Sequence, residues 1–410
     1  MSHPPPGQFD FSQQRRTFRL ELLRSLPQGF VETAMTTFAV YVAIRMFGLP
    51  PWMKSAIIAS GSFGLLLSLF VVQLIRRRGW SVNNVAAVFW ILAAAGFGVA
   101  AASARHPALY CAGTCIAFVG LASAPPLMAQ IYRKHYADGN RGRLFSLSSL
   151  TRACTVVVSG LALGLWVEKQ GFPPLFTAYA GGSLLMVWCV RAMAPVRLRA
   201  SNRIRWFDAF SHVGRNRAFA KLLAIWMLIG FGNLMSFALF VEFIGNPAYG
   251  FGFDAKLSGL VTSTVPMAAF IFTVVPWGIV FDKLPFYRVR AMVNLFFIAG
   301  ILIYFLGGSL LTLCLGIALH GIARSGGNIL WMLWTTRFAA EEHLSEYQSV
   351  HSFLTGVRGV AAPFVAYACL EHLGPVAVAV AATGLLALGT LLIAPEIRAE
   401  FRAKSDALKG

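Results

Sequence analysis

The chain has 410 residues, of which 57% are hydrophobic and only 12% charged, with a net charge of +19 and a mean hydropathy of +0.66. A soluble domain of this size carries about twice that share of charge. The composition therefore excludes a soluble domain of any size and describes a polytopic membrane protein.

Residues 1–25 are a basic segment containing Arg15, Arg16, Arg19 and Arg24. The first apolar run starts late and lacks a small-residue cleavage site, so it reads as a membrane helix rather than a removable signal peptide. About twelve runs of roughly 20 residues, the length a bilayer requires, follow one another. Their limits are 26–47, 54–75, 82–103, 107–131, 144–167, 173–194, 219–245, 257–281, 289–307, 309–336, 348–371 and 373–394. The longest interruption, 195–218, is rich in arginine and contains Ile204, Trp206, Phe207 and Phe210. It reads as a cytoplasmic linker lying partly on the membrane surface. It divides the chain into an N-terminal six-helix bundle (26–194) and a C-terminal one (219–394), followed by a cytoplasmic tail (395–410).

The polar residues inside these spans are unevenly distributed. In span 1, Gln28, Glu32 and Thr36 recur every fourth residue and form one stripe along a helix. Span 4 has Ser123, a Pro125-Pro126 break and Gln130, and span 5 carries Arg152. Span 7 offers Asn233 and Ser236 near its middle and Glu242 toward its outer end. Span 10, "HGIARSGGNILW", repeats the stripe with His320, Arg324 and Asn328, and its small residues Gly321, Ser325, Gly326 and Gly327 suggest open space beside it. Span 11 carries Arg358, whereas spans 3, 6, 9 and 12 hold no charge at mid-depth. Charges inside a bilayer are costly and mark interior or functional positions.

The 35 Lys and Arg are strongly biased. With the N-terminus inside, 27 fall on cytoplasmic segments, 5 on outer loops and 3 within spans. This bias sets orientation, with both ends cytoplasmic, and attraction to anionic lipid at that face is a by-product. The six cysteines all lie in apolar runs without CxxC spacing, so neither a disulfide framework nor a metal site is implied. No cofactor is called for.

"RLFSLSSLTRAC" (143–154) leads span 5 and "SVHSFLTGVRGV" (349–360) leads span 11. A shift of 206 residues pairs Ser146 with Ser352, Ser149 with Thr355 and Arg152 with Arg358. Internal repeats of this kind characterise secondary transporters. The loop after span 8, "GIVFDKLPFYRVR", contains Gly278, Asp282, Lys283, Arg288 and Arg290. Here the chain resembles the major facilitator superfamily, whose loop signature is Gly-x3-Asp-(Arg/Lys)-x-Gly-x-(Arg/Lys). The first-half copy, "VVQLIRRRGWS", keeps Arg77 and Gly79 but has Arg76 where the acid belongs. The resemblance implies an all-α membrane fold of twelve transmembrane helices in two six-helix pseudo-repeats. It also implies that spans 1, 4, 7 and 10 line a central cavity. It gives Gly278, Asp282, Lys283, Arg77 and Gly79 to a cytoplasmic gate, with Asp282 latching the halves. Span 5 has only "SGLALG" in place of the Gly-Pro-x-x-Gly-Gly run of drug/proton antiporters, and the sugar-porter motifs are absent as well.

The reading is a secondary active transporter working by alternating access, with no enzymatic chemistry. Three arginines against the two acids Glu32 and Glu242 favour an anionic solute such as an organic carboxylate. Candidate substrate-binding residues are Arg324, Asn328, Asn233, Thr36, Arg358 and Arg152, and candidate proton-coupling residues are Glu32 and His320. The bland alternatives are a Glu32–Arg152 pair that is purely structural, a packing role for His320, and scaffold roles for Arg152 and Arg358. A neutral or amphipathic solute remains a second reading, and a receptor or membrane-embedded enzyme a third, although no HExxH motif or nucleophile–base pairing occurs. The expected setting is a bacterial inner membrane, as a monomer, with a small solute and lipid as partners and no nucleic acid. Reporter fusions after Ala218 and after Lys409 should both report the cytoplasm; an external C-terminus would overturn this topology.

Overall fold

The computed structural model describes residues 10–103, 106–198, 210–334, 338 and 344–407, for a few of them the backbone alone. Helices dominate, as they must where a bilayer offers no water to satisfy backbone groups. Ten helices are long and apolar enough to cross a membrane. One of them, Leu344–Leu392, is two spans joined at Gly374, whose φ of 76° breaks the helix ahead of Pro375. The N-terminal helix adds another, so the described residues hold twelve spans.

These spans are numbered in chain order. The first, α1, runs Phe11–Thr33, passes through a π-helical turn Ala34–Phe38 and ends as Ala39–Arg45. Then come α2 (Pro51–Arg78), α3 (Val82–Ala102), α4 (Pro107–His135), α5 (Asp138–Gln170) and α6 (Phe172–Ala192). The second half holds α7 (Arg217–Gly245), α8 (Ala255–Lys283), α9 (Phe286–Leu306), α10 (Leu310–Leu333), α11 (344–373) and α12 (375–392). A further helix, α13, spans Ala394–Ala407. Proline opens α2 and α4 at positions where no intrahelical donor is needed, and Pro125 restarts α4 after its break. Gly79 ends α2 in the left-handed region at φ 66°, which only glycine enters without strain. Ser309 and Thr312 form a reciprocal capping box at the start of α10.

Both chain ends extend further as helix than the hydropathy pattern suggests. Asp10 caps α1 by accepting from the Ser12 and Gln13 amides, well ahead of the apolar run. Residues 11–25 pack against the end of α4, where the Thr17 hydroxyl and Gln13 amide meet the two ring nitrogens of His135 at 3.0 and 3.1 Å. Arg24 and Glu21, both buried, pair at 2.6 Å, and Tyr132 donates to the same carboxylate. Helix α13 lies across the starts of α7 and α9, through Lys221–Glu396 at 2.5 Å and the Tyr287 amide on Glu400. Residues 199–209 of the linker, with Ile204, Trp206 and Phe207, lie outside the described residues; Phe210 packs edge-on against Phe353.

Two apolar cores account for most of the buried surface. One gathers Phe38, Trp90, Phe97, Tyr110, Phe176 and Tyr179 from the first half. The other gathers Phe219, Trp226, Phe240, Tyr304, Trp334 and Tyr367 from the second. A thin seam of Ala153, Val156 and Met267 joins α5 to α8. Along this seam the backbones approach so closely that a methyl group on Gly259 would strike the Gly160 carbonyl, and one on Gly160 would strike Thr264. Helices α2 and α11 touch in the same way through Ser62 and Gly359.

These contacts lie in the half of the bundle away from the termini. Toward the terminal end α5 and α8 make no such approach: a methyl group on Gly142 or Gly278 would meet nothing within 4 Å, and Arg324 and Asn328 on α10 are exposed. The structure is thus closed at the far end and open at the end that bears both termini. Gly160→Leu should wedge the closed seam, lowering stability by about 1–3 kcal/mol, the usual cost of overpacking. A cysteine placed at Thr262 should then react faster with a reagent applied from the far face; an unchanged rate and melting midpoint would show that the seam is not tightly packed.

Candidate functional site

The two π-helical turns meet at the seam. A π turn inserts one residue and redirects the side chains that follow, which is why such turns gather at functional positions. In α1 the turn contains Thr36 and Thr37; in α8 the turn Leu260–Thr264 contains Thr262 and Ser263. Thr36 bonds Ser263 at 2.6 Å, while Thr37 bonds Thr262 at 2.6 Å and Ser263 at 2.7 Å. Thr36, expected to face a solute, therefore holds the two halves together. Beneath this hydroxyl cluster lies a residual cavity of about 20 Å³, room for a single water. It is lined by Thr36 of α1, Phe237 and Phe240 of α7, Thr262 and Pro266 of α8, and Ile317, His320 and Arg324 of α10. Helix α8 takes the place at this cavity that the resemblance gave to α4.

Below the cavity is a three-member charge cluster. Glu32 reaches Arg152 through one carboxylate oxygen, in a direct ion pair. Its other oxygen lies 3.7 Å from Arg324. That distance is attraction without a hydrogen bond, and the guanidinium of Arg324 donates to no acceptor among the described residues. The Arg324 side chain is 43% exposed, against 16% for Glu32. Two cations sharing one carboxylate leave a net positive charge at the bottom of the open cleft. Asn328, one turn along the same face of α10, is also exposed.

His320 is buried, accepts or donates a hydrogen bond to Asn233 at 3.1 Å, and sits between the rings of Phe240 and Phe297. The glycines around Arg324 do not open space, contrary to their appearance in the sequence. A methyl on Gly321 would strike Pro266, and one on Gly326 would strike Trp277 and Val293. They let α10 press against α8 and α9, which fixes the direction in which Arg324 emerges.

The repeated arginines behave as a pair. Arg152 of α5 reaches α1, and Arg358 of α11 reaches α7, where it donates to the Trp226 carbonyl. The helices they reach also match: "QGFVET" (28–33) and "IGFGNL" (229–234) place Gly29 opposite Gly230 and Glu32 opposite Asn233. The second half thus has an amide where the first has its acid, and Arg358 lacks the carboxylate that Arg152 has. Arg358 lies in the second-half bundle, apart from the residues lining the cavity. Of the residues the resemblance gave to a gate, Asp282, Lys283, Arg77 and Gly79 are exposed, and Asp282 has no hydrogen bond or ion pair among the described residues.

One element escaped the sequence reading. Lys54, one of the five outer-loop cations, and Glu242 form a pair in which the ammonium lies 2.8 Å from both carboxylate oxygens. Their side chains are 9% and 1% exposed. Asn246 and Tyr367 donate to the same carboxylate, and the ammonium lies 5.0 Å from the Tyr367 ring centre. This latch joins α2 of one half to α7 and α11 of the other at the closed end. The signal available was an acid in one outer span end and a single lysine at another.

This fold is that of the major facilitator transporters. Among solved structures, the nucleoside transporter NupG matches with a TM-score of 0.74 at 14% identity, over 93% of this chain and 98% of that one. A D-xylose-proton symporter matches with a TM-score of 0.70 at 12% identity, over 93% and 97%. A POT family transporter in complex with 5-aminolevulinic acid gives 0.74 at 12%, over 94% and 96%. No protein-family model and no curated protein sequence matches the chain.

Removing one partner of a buried ion pair strands the other, at a cost of about 3–5 kcal/mol. Lys54→Met and Glu242→Gln should each lower the melting midpoint, and the double variant should recover most of the loss. Additive losses in the double variant would show that the two groups do not act as a pair.

Proposed function

We propose that the chain is a secondary transporter that moves a small anionic solute of the organic carboxylate class by alternating access, with Glu32 as the proton-coupling group. The observation that carries this reading is Arg324: a half-exposed guanidinium at the base of an open cleft, with no hydrogen-bond acceptor among the described residues and only a share of Glu32. Guanidinium keeps its proton at any accessible pH and presents a planar fork that fits a carboxylate. A solute carboxylate arriving from the cleft can take both prongs, with Asn328 one turn away as a second donor. Phe237 and Phe240 offer an apolar surface to the rest of the solute.

Glu32 couples such binding to protons. Ionised, it offsets part of the charge of Arg152 and Arg324 and competes with the solute. Protonated, it releases both arginines and the site attracts an anion more strongly. The charge bias makes the open end cytoplasmic, so this arrangement faces inward with the Lys54–Glu242 latch closing the exterior. In the opposite state the cytoplasmic ends meet, and Asp282, which has no partner among the described residues, would accept hydrogen bonds from the start of α5. The solved structures of similar fold are named for a nucleoside, a proton-coupled sugar and a complex with 5-aminolevulinic acid, which supports transport of a small polar solute. The aromatic lining also suits a neutral or amphipathic solute, in which case the charges only brace the helices.

Binding and stability measured together separate the two readings. Arg324→Lys keeps the charge but loses the fork, and affinity for the carboxylate should fall by about 1–3 kcal/mol. Arg324→Ala should keep its melting midpoint and lose binding, and Glu32→Gln should bind but no longer respond to a pH gradient. A well-folded Arg324→Ala that binds with wild-type affinity would sink the anion site.

A further inference from the structure

A second cationic cluster lies inside the second half, roughly 16 Å along α7 from the cavity at the helical rise per residue. Its centre is Trp226 of α7, 4% exposed. The guanidinium of Arg290, from α9 and likewise 4% exposed, lies 3.9 Å from the Trp226 ring centre. Arg358 of α11 donates one nitrogen to the Trp226 carbonyl. His351, also of α11 and 0% exposed, packs edge-on against Trp226, their ring centres 5.6 Å apart. Arg290 had been counted as a loop charge; the fold draws it into the bundle.

The cluster has donors without acceptors. His351 Nδ1 accepts from Trp334 Nε1 at 3.1 Å, so Nε2 carries the ring proton, and it has no partner. Trp226 Nε1, Arg290 Nε and Arg358 Nε are likewise buried without a partner. No carboxylate among the described residues pairs with Arg290 or Arg358, although the two arginines and His351 lie within electrostatic reach of one another. The other buried cations differ: Arg24 has Glu21, Lys54 has Glu242, and Arg152 has Glu32. Arginine cannot discharge itself, and a buried Arg290 beside a partly buried Arg358, with no carboxylate between them among the described residues, is unfavourable without a counter-charge.

We propose that a small anion of the halide class, in practice chloride, occupies this cluster and is held by the N–H groups of Trp226, His351, Arg290 and Arg358. A buried cluster of N–H donors without acceptors calls for a small acceptor rather than a large solute. The lining consists of N–H donors and aromatic rings, whose positive edges tolerate a weakly hydrated spherical anion. The site is separate from the Arg324 cleft, and its test does not depend on transport.

The full-length protein is purified in gluconate and titrated with chloride or bromide at constant ionic strength, reading melting midpoint. A ligand of the native state alone raises that midpoint with concentration. The expected result is a saturable rise with either halide, absent in Arg290→Gln and in Arg358→Gln, with bromide anomalous density beside Trp226. Should neither variant fold, the wild-type titration and the bromide density decide. Absence of both in the wild type would overturn the proposal. So would a halide response that appears only in a Glu341→Gln/Glu342→Gln variant, because the chain's own carboxylates, which lie outside the described residues, would then supply the counter-charge.

Discussion

A buried guanidinium keeps its positive charge, and much of this structure follows from how each one is answered. Arg24 is answered by Glu21 and Tyr132 at the base of α1. Arg152 is answered by Glu32, whose second oxygen draws in Arg324 from the other half. That single carboxylate therefore links α1, α5 and α10, which belong to both bundles, at the point where the cleft ends. Its position sets the charge at the point where the two halves meet.

The closed end relies on other physics. Hydroxyl pairs between two π turns, glycine-to-carbonyl approaches and one buried ion pair hold α1, α2 and α5 to α7, α8 and α11. None of these is a large apolar surface. In lipid such surfaces give little drive for helix association, so close packing and interhelical hydrogen bonds carry it. Such a seam of short-range contacts is held by a few hydrogen bonds and one ion pair.

The halves are related in topology but unequal in charge. Matching arginines reach matching helices, yet the acid of the first half is an amide in the second. The first half balances its interior cations, while the second leaves Arg290 and Arg358 together around Trp226. The repeat conserves geometry, and the difference in charge gives the two bundles separate chemistries.

Hydropathy by itself determined the number of spans and the residues that would be exceptional, because a bilayer imposes a length of apolar helix and a cost for charge that any sequence must obey. It also picked out Arg152, Arg324, Arg358 and Glu32 as candidates, and it read the repeat in spans 5 and 11. It could not determine partners. Lys54 read as a loop charge because it is the first residue of the run 54–75, and only the meeting of α2 with α7 made it part of a buried pair. Arg290 read as a positive-inside signal until α9 folded against Trp226. The glycines of α10 read as open space, and the packing of α8 and α9 filled it. Distances between helices depend on all twelve at once, whereas apolar length is a property of one segment at a time; the spans were therefore legible in the sequence, and the pairings were settled only by the tertiary structure.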